Sequence, residues 1–181
     1  METVTDEKLM TMYAGGDASA FRELFSRYEK RIYNFFLRRL GDPDRAADLF
    51  QETFLRLHQN RRRFDSRYPF TAWFYTIANN LVRDELRRKR GVQFDAMEAE
   101  DSLPPSRLAG PEESMAAAEF KEKLERALEM LSQAQKEVLI LSRFEGLKHG
   151  VIARITGRSE VAVRQLLYRA LQNLRGHLTE G

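Results

Sequence analysis

Apolar positions in this chain recur three and four residues apart, and nothing in residues 1–90 alternates with the period of two that a strand requires. The clearest stripe is Phe70, Trp73, Phe74, Ile77 and Leu81, which predicts one helix running from Pro69 to Arg90, with the proline in its first turn. Upstream, Asp6 to Ala14 reads as a short helix ended by Gly15-Gly16. Asp17 suits the cap of a second helix, in which Phe21, Leu24, Phe25, Tyr28, Ile32, Phe35, Phe36 and Leu40 keep helical spacing until Gly41 stops it. Asp42-Pro43 then restarts a helix that carries Ala46, Ala47, Phe50, Phe54 and Leu57 inward. Four helices around an aromatic-rich core are therefore expected in residues 1–90.

Between residues 91 and 111 the pattern breaks. Asp95, Glu98, Glu100 and Asp101 cluster there, and Pro104-Pro105, Gly110 and Pro111 interrupt any helix, so this segment is expected to be an acidic, flexible linker. Fully extended it could reach about 70 Å, roughly two turns of B-DNA. From residue 112 helical spacing returns through Met115, Phe120, Leu124, Leu128 and Leu131. Ser132-Gln133-Ala134-Gln135 has the form of a capping box, opening a helix with Val138, Leu139, Leu141 and Phe144 on its inner side. Gly146 ends that helix. A short helix from Gly150 to Thr156, a turn at Gly157-Arg158, a cap at Ser159 and a long helix to about His177 then give a helix-turn-helix layout. In the long helix Val163, Leu166, Leu167, Ala170 and Leu174 face inward, whereas Arg164, Gln165, Tyr168 and Arg169 share another side. The expected fold is all-α: two small helical domains, residues 1–90 and 112–181, joined by the acidic linker 91–111.

A net charge of +3 says little, but its distribution says more. Residues 61–90 carry nine Lys/Arg against three Asp/Glu, residues 91–122 two against eight, and residues 123–181 ten against six. Two positive blocks flank an acidic one, which points to a polyanionic partner. On the long helix of the first half, Thr76, Asn80, Arg83 and Arg87 recur on a polar side and lead into Arg87-Arg88-Lys89-Arg90, cations at a helix C-terminus. Amides of this kind hydrogen-bond to base edges.

Other chemistries find little support. There is no cysteine, hence no disulfide and no thiolate metal site, and a cytoplasmic location is expected. No apolar run is long enough for membrane insertion, and the first residues lack the pattern of a signal peptide. Asp48, Glu52 and His58 do not form the paired Glu-x-x-His motifs of a di-metal bundle, and no phosphate-binding loop or hydrolase motif occurs. His58, His149 and His177 have no ligand spacing and read as surface residues. The expectation is a protein without cofactor, metal or catalytic residues.

Two blocks carry a resemblance. Asp48-Leu49-Phe50-Gln51-Glu52-Thr53-Phe54, followed by Phe70 through Asn80, resembles the second region of bacterial sigma factors. Leu131 through Leu174, with Glu137-Val138, Glu145-Gly146-Leu147, Ile152-Ala153 and Val163-Arg164, resembles their fourth region. Having only these two regions is the pattern of the extracytoplasmic-function (ECF) subfamily. The resemblance implies a promoter-specificity subunit of RNA polymerase. It further implies that Asp48, Gln51 and Glu52 dock on the clamp helices of the polymerase's largest subunit, and that the second domain meets the flap of the second-largest. Asn80 would capture a flipped base of the minus-ten element, with Thr76 beside it and Arg83, Arg87 and Arg88 on neighbouring phosphates. Arg158, Ser159, Arg164, Gln165, Tyr168 and Arg169 would meet the minus-thirty-five element in the major groove. The partners implied are core polymerase, promoter DNA and an anti-sigma factor. Glu160-Val161-Ala162 and Leu166 depart from the family's pattern and make the second DNA contact less basic.

Overall fold

The computed structural model describes residues 4–94, 122–124 and 126–179. In the first half lie α1 (Asp6–Ala14), α2 (Ala18–Leu40), α3 (Pro43–Asn60), a single 3-10 turn (Arg61–Arg63) and α4 (Phe70–Phe94). In the second half, helical turns at 122–124 and 126–129 precede α5 (Gln133–Leu139), a widened π turn (Ile140–Phe144), α6 (His149–Thr156) and α7 (Glu160–Thr179). No strand occurs among the described residues. Most of the predicted linker, with Met115 and Phe120, lies outside them.

Local chemistry sets the boundaries. The Asp17 carboxylate accepts from the amides of Ser19 (2.8 Å) and Ala20 (3.4 Å), Gly41 closes α2 at φ 69°, and Asp42 caps α3 ahead of Pro43. Pro69 stands just before α4 rather than in its first turn. Its carbonyl accepts the first helical bonds, and the free amide of Phe70 donates to Glu7 Oε1 of α1 (2.8 Å). The capping box is present: Gln135 N donates to Ser132 Oγ (3.3 Å) and Ser132 N to Gln135 Oε1 (3.1 Å). Where α5 was expected to continue regularly, the chain widens into the π turn. That extra residue per turn rotates Phe144 out of the predicted inner stripe and leaves it exposed.

The first-half core is aromatic. Tyr28, Phe35, Phe36, Phe70, Phe74 and Tyr75 are fully buried, and edge-to-face pairs such as Tyr28–Phe74 (5.4 Å) and Phe54–Phe74 (5.4 Å) tie α2, α3 and α4 together. Trp73 and Ile77, expected inside, are half-buried, and Trp73 leans on Phe64 (5.3 Å). The second half buries Val138, Leu139, Ile140 and Leu141 against Val163, Leu167, Ala170 and Leu174. The two halves do not stand apart: α6 lies along α4, which is therefore buried on two sides. This explains why Tyr75, Asn79 and Val82 of α4 are buried although they lie off its predicted apolar stripe.

Candidate nucleic-acid interface and the seam behind it

On α3, the i, i+3, i+4 spacing brings Asp48, Gln51 and Glu52 onto one face. Asp48 and Gln51 are exposed and Glu52 is half-exposed. Arg45 Nη1 meets Asp48 (2.9 Å) and its Nη2 meets Glu85 of α4 (2.6 Å), while Arg56 meets Glu52 (2.7 Å). The hydrogen bonds from Arg45 hold the Glu85 carboxyl below its ordinary range, so Glu85 stays charged and fixes α3 to α4. The acidic face of α3 thus stands on a rigid base.

On α4 the predicted polar set divides. Asn80 is exposed, and so are Arg87 and Arg88, which meet Asp84 (3.5 Å) and Glu85 (3.0 Å) respectively. Thr76 is half-buried, and its hydroxyl donates to the carbonyl of Ala72 (2.6 Å). Arg83 points elsewhere: its Nε donates to Glu137 Oε1 (3.1 Å) and its Nη2 to the carbonyl of Thr156 (2.9 Å), both in the second half.

The helix-turn-helix is made by α6, Gly157 in the left-handed region (φ 69°), and α7. Ser159 caps α7, its Oγ accepting from the amide of Ala162 (3.2 Å). Arg164, Gln165, Tyr168 and Arg169 all project to solvent, and Tyr168 is 65% exposed, a large apolar ring left in water. Arg158 belongs to the seam instead, donating to Glu137 Oε2 (2.6 Å).

Two carboxylates of the second half organise that seam. Glu137 accepts from Asn79 Nδ2 (2.8 Å), Arg83 and Arg158, and lies 4.0 Å from Arg39 Nη1. Burial works to raise its pKa, but Arg39, Asn79 and Arg83 outweigh that and leave it lowered. Glu145 accepts a very short hydrogen bond from the Tyr75 hydroxyl, with Arg31 (3.6 Å) and Arg38 (3.7 Å) farther off. There burial prevails, and the pKa is raised. Arg31 also donates to the Glu145 carbonyl (2.8 Å), and Arg38 lies over the Phe144 ring (4.4 Å). His58 is exposed as expected, with Nδ1 2.5 Å from the Tyr13 hydroxyl. Among the described residues no group of His, Asp and Glu comes together as a metal site, and no helix is long and apolar enough to cross a membrane.

Residues 24–92 match the Sigma-70 region 2 family and residues 121–174 the Sigma-70, region 4 family. The chain is 33% identical over 171 residues to the RNA polymerase sigma factor CarQ of Myxococcus xanthus, covering 94% of this chain and 96% of that one. It is 33% identical over 175 residues to the ECF RNA polymerase sigma factor BldN of Streptomyces coelicolor, covering 92% of this chain and 63% of that one. The chain belongs to the ECF RNA polymerase sigma factors. As a sigma factor it directs core polymerase to promoters for transcription initiation. Its fold is that of CnrH, solved in complex with the cytosolic domain of CnrY: TM-score 0.73, 23% identity, 97% of each chain covered. A second solved sigma factor, RpoE of Bartonella quintana in complex with the anti-sigma factor NepR, gives TM-score 0.70 at 22% identity, over 88% of this chain and 96% of that one.

The sigma factor's solvent-facing set and its seam set are distinct. Sequence reasoning located the first: Asp48, Gln51, Asn80, Arg87, Arg88, Arg164, Gln165, Tyr168 and Arg169. It missed Arg39, Asn79, Tyr75, Arg31 and Arg38 as seam residues, and gave Glu137 and Glu145 no role. The available signal was a lone acid beside an apolar run, as in Glu137 before Val138-Leu139-Ile140-Leu141.

Proposed function

We propose that the α3 face of Asp48, Gln51 and Glu52 docks on the clamp helices of the largest polymerase subunit, and that the second half contacts the flap of the second-largest. Asn80, with Thr76, captures a flipped base of the melted minus-ten element, and Arg87 and Arg88 hold the adjacent phosphates. Arg164, Gln165, Tyr168 and Arg169 enter the major groove of the minus-thirty-five element. What carries this reading is the exposure of Asp48, Gln51, Asn80, Arg87, Arg88, Arg164, Gln165, Tyr168 and Arg169 on three helices whose other sides are fixed by packing. Arg83 and Arg158 join the DNA contacts only when the halves separate, because Glu137 holds both in the packed arrangement. The chain makes no covalent chemistry of its own and works in the cytoplasm beside the polymerase. An anti-sigma factor that binds the packed arrangement would keep those arginines from DNA.

Run-off transcription with purified core polymerase tests the reading. The chain should support initiation with core and fail to footprint duplex promoter DNA alone. Asn80→Ala should lower initiation at limiting DNA by an amount equivalent to about 1–3 kcal/mol, the worth of one well-held base. A footprint by the free chain, or full activity of the Asn80 variant, would contradict it.

A further inference from the structure

A cleft of about 250 Å3 opens at the seam, lined by Arg39, Arg83, Leu86 and Arg87 from the first half and Gln133, Ala134, Glu137 and Arg158 from the second. Four guanidiniums line it with one carboxylate, and Arg87 also lies 3.5 Å from Asp84. The electrostatic balance of the cleft is therefore positive even with Glu137 and Asp84 ionised. Arg39 is 1% exposed, and its Nε and Nη1 are buried with no hydrogen-bond partner. Its nearest anion is Glu137, at 4.0 Å, already engaged by Asn79, Arg83 and Arg158. A buried guanidinium with unmade hydrogen bonds is costly, and an oxyanion able to reach it would offset that cost. The side-chain oxygen of Gln133, in the same cleft, is buried and unpaired too. Turning that amide over would present a donor, and left as it is it could accept from a P–OH group.

We propose that this cleft is a binding site for a small phosphate-class oxyanion, held by Arg39, Arg83, Arg87 and Arg158. The planar, multiply donating guanidinium suits tetrahedral oxyanions. Both halves supply walls, so an anion seated here binds the packed arrangement and favours it by mass action. A free phosphate or phosphomonoester meets this requirement, whereas a DNA strand would bind the same arginines with the halves apart. The site shares Arg83, Arg87 and Arg158 with the proposed promoter contacts, so a small anion bound in the packed arrangement competes with DNA for them.

Titration of the full-length chain with inorganic phosphate, against chloride at matched ionic strength, tests the site by calorimetry and thermal unfolding. Phosphate should bind saturably and raise the unfolding temperature, and chloride should not. Arg158→Gln and Arg87→Gln, both outside the buried core, should each weaken phosphate about tenfold. Equal responses to the two salts, or undiminished phosphate affinity in both variants, would overturn the proposal. An eight-nucleotide single strand distinguishes the source: preferential binding of phosphate and thymidine monophosphate supports a small ligand. Tighter binding of the strand, with displacement of phosphate, would show that the arginines serve nucleic acid instead.

Discussion

Glu137 and Glu145 lie eight residues apart in the second half, both reach into the first, and both are nearly inaccessible to water. Yet burial leaves them in opposite states. Glu137 has the buried Arg39 guanidinium 4.0 Å away and close donors from Asn79 and Arg83, and these overcome its desolvation, so its proton is given up more readily than in an ordinary glutamate. Glu145 has one close donor, the Tyr75 hydroxyl, and its arginines are 3.6 and 3.7 Å off, so desolvation wins and it holds its proton more tightly. The difference is one of surroundings, not of burial: charge is kept inside a protein where opposite charge and hydrogen bonds together replace the lost water.

The largest effect should come from Glu137→Ala, which leaves Arg39, Arg83 and Arg158 facing one another across the seam. Breaking a buried pair of this kind costs on the order of 3–5 kcal/mol. A fall in the urea midpoint of the full chain measures it, and a change below about 1 kcal/mol would show that the arginines find other partners. Tyr75→Phe should cost less, about 1–2 kcal/mol, the loss of one buried hydrogen bond to Glu145. Glu145→Gln should move stability least, by a gain of up to about 1 kcal/mol at neutral pH, since it supplies a neutral group where burial disfavours the charge. A severe loss in that variant would mean that Glu145 holds the seam as a charge.

The acid dependence sharpens the contrast. A lowered folded pKa means that Glu137 contributes stability above its unfolded value of 4.5, lost as pH falls through the folded value. Glu145 runs the other way: its contribution is full below 4.5 and is lost as pH rises through its raised folded pKa. Urea midpoints between pH 3 and 8 should show Glu137→Gln flattening the acid-side loss and Glu145→Gln lifting the neutral side. Parallel profiles for the two variants would remove the distinction.

How far the sequence could be read follows from the same physics. Caps and stops were legible because they depend on neighbours along the chain: Asp17, Asp42-Pro43, Gly41, the Ser132–Gln135 box and Gly157 all lie where expected. The DNA candidates on α4 and α7 were legible as polar helix faces, the α3 set Asp48, Gln51 and Glu52 through the family resemblance, and Arg83 and Arg158 proved to be engaged within the chain. Arg39 was not legible. It follows Arg38 at the end of a basic helix, and only the packing of a segment about a hundred residues later makes it a buried cation. Phe144 failed for a local reason, since one widened turn shifts the phase of every side chain beyond it.

If Arg83 and Arg158 leave Glu137 for promoter DNA, the two halves must move apart when polymerase and promoter are engaged. Because the chain has no cysteine, Gln59→Cys and Gln172→Cys, both at exposed positions, give a clean pair of dye sites on the two halves. Energy transfer between them should be high in the free chain and fall when core polymerase is added, under conditions where run-off transcription proceeds. Unchanged transfer in a transcribing complex would mean that the halves stay packed and that Glu137 keeps both arginines.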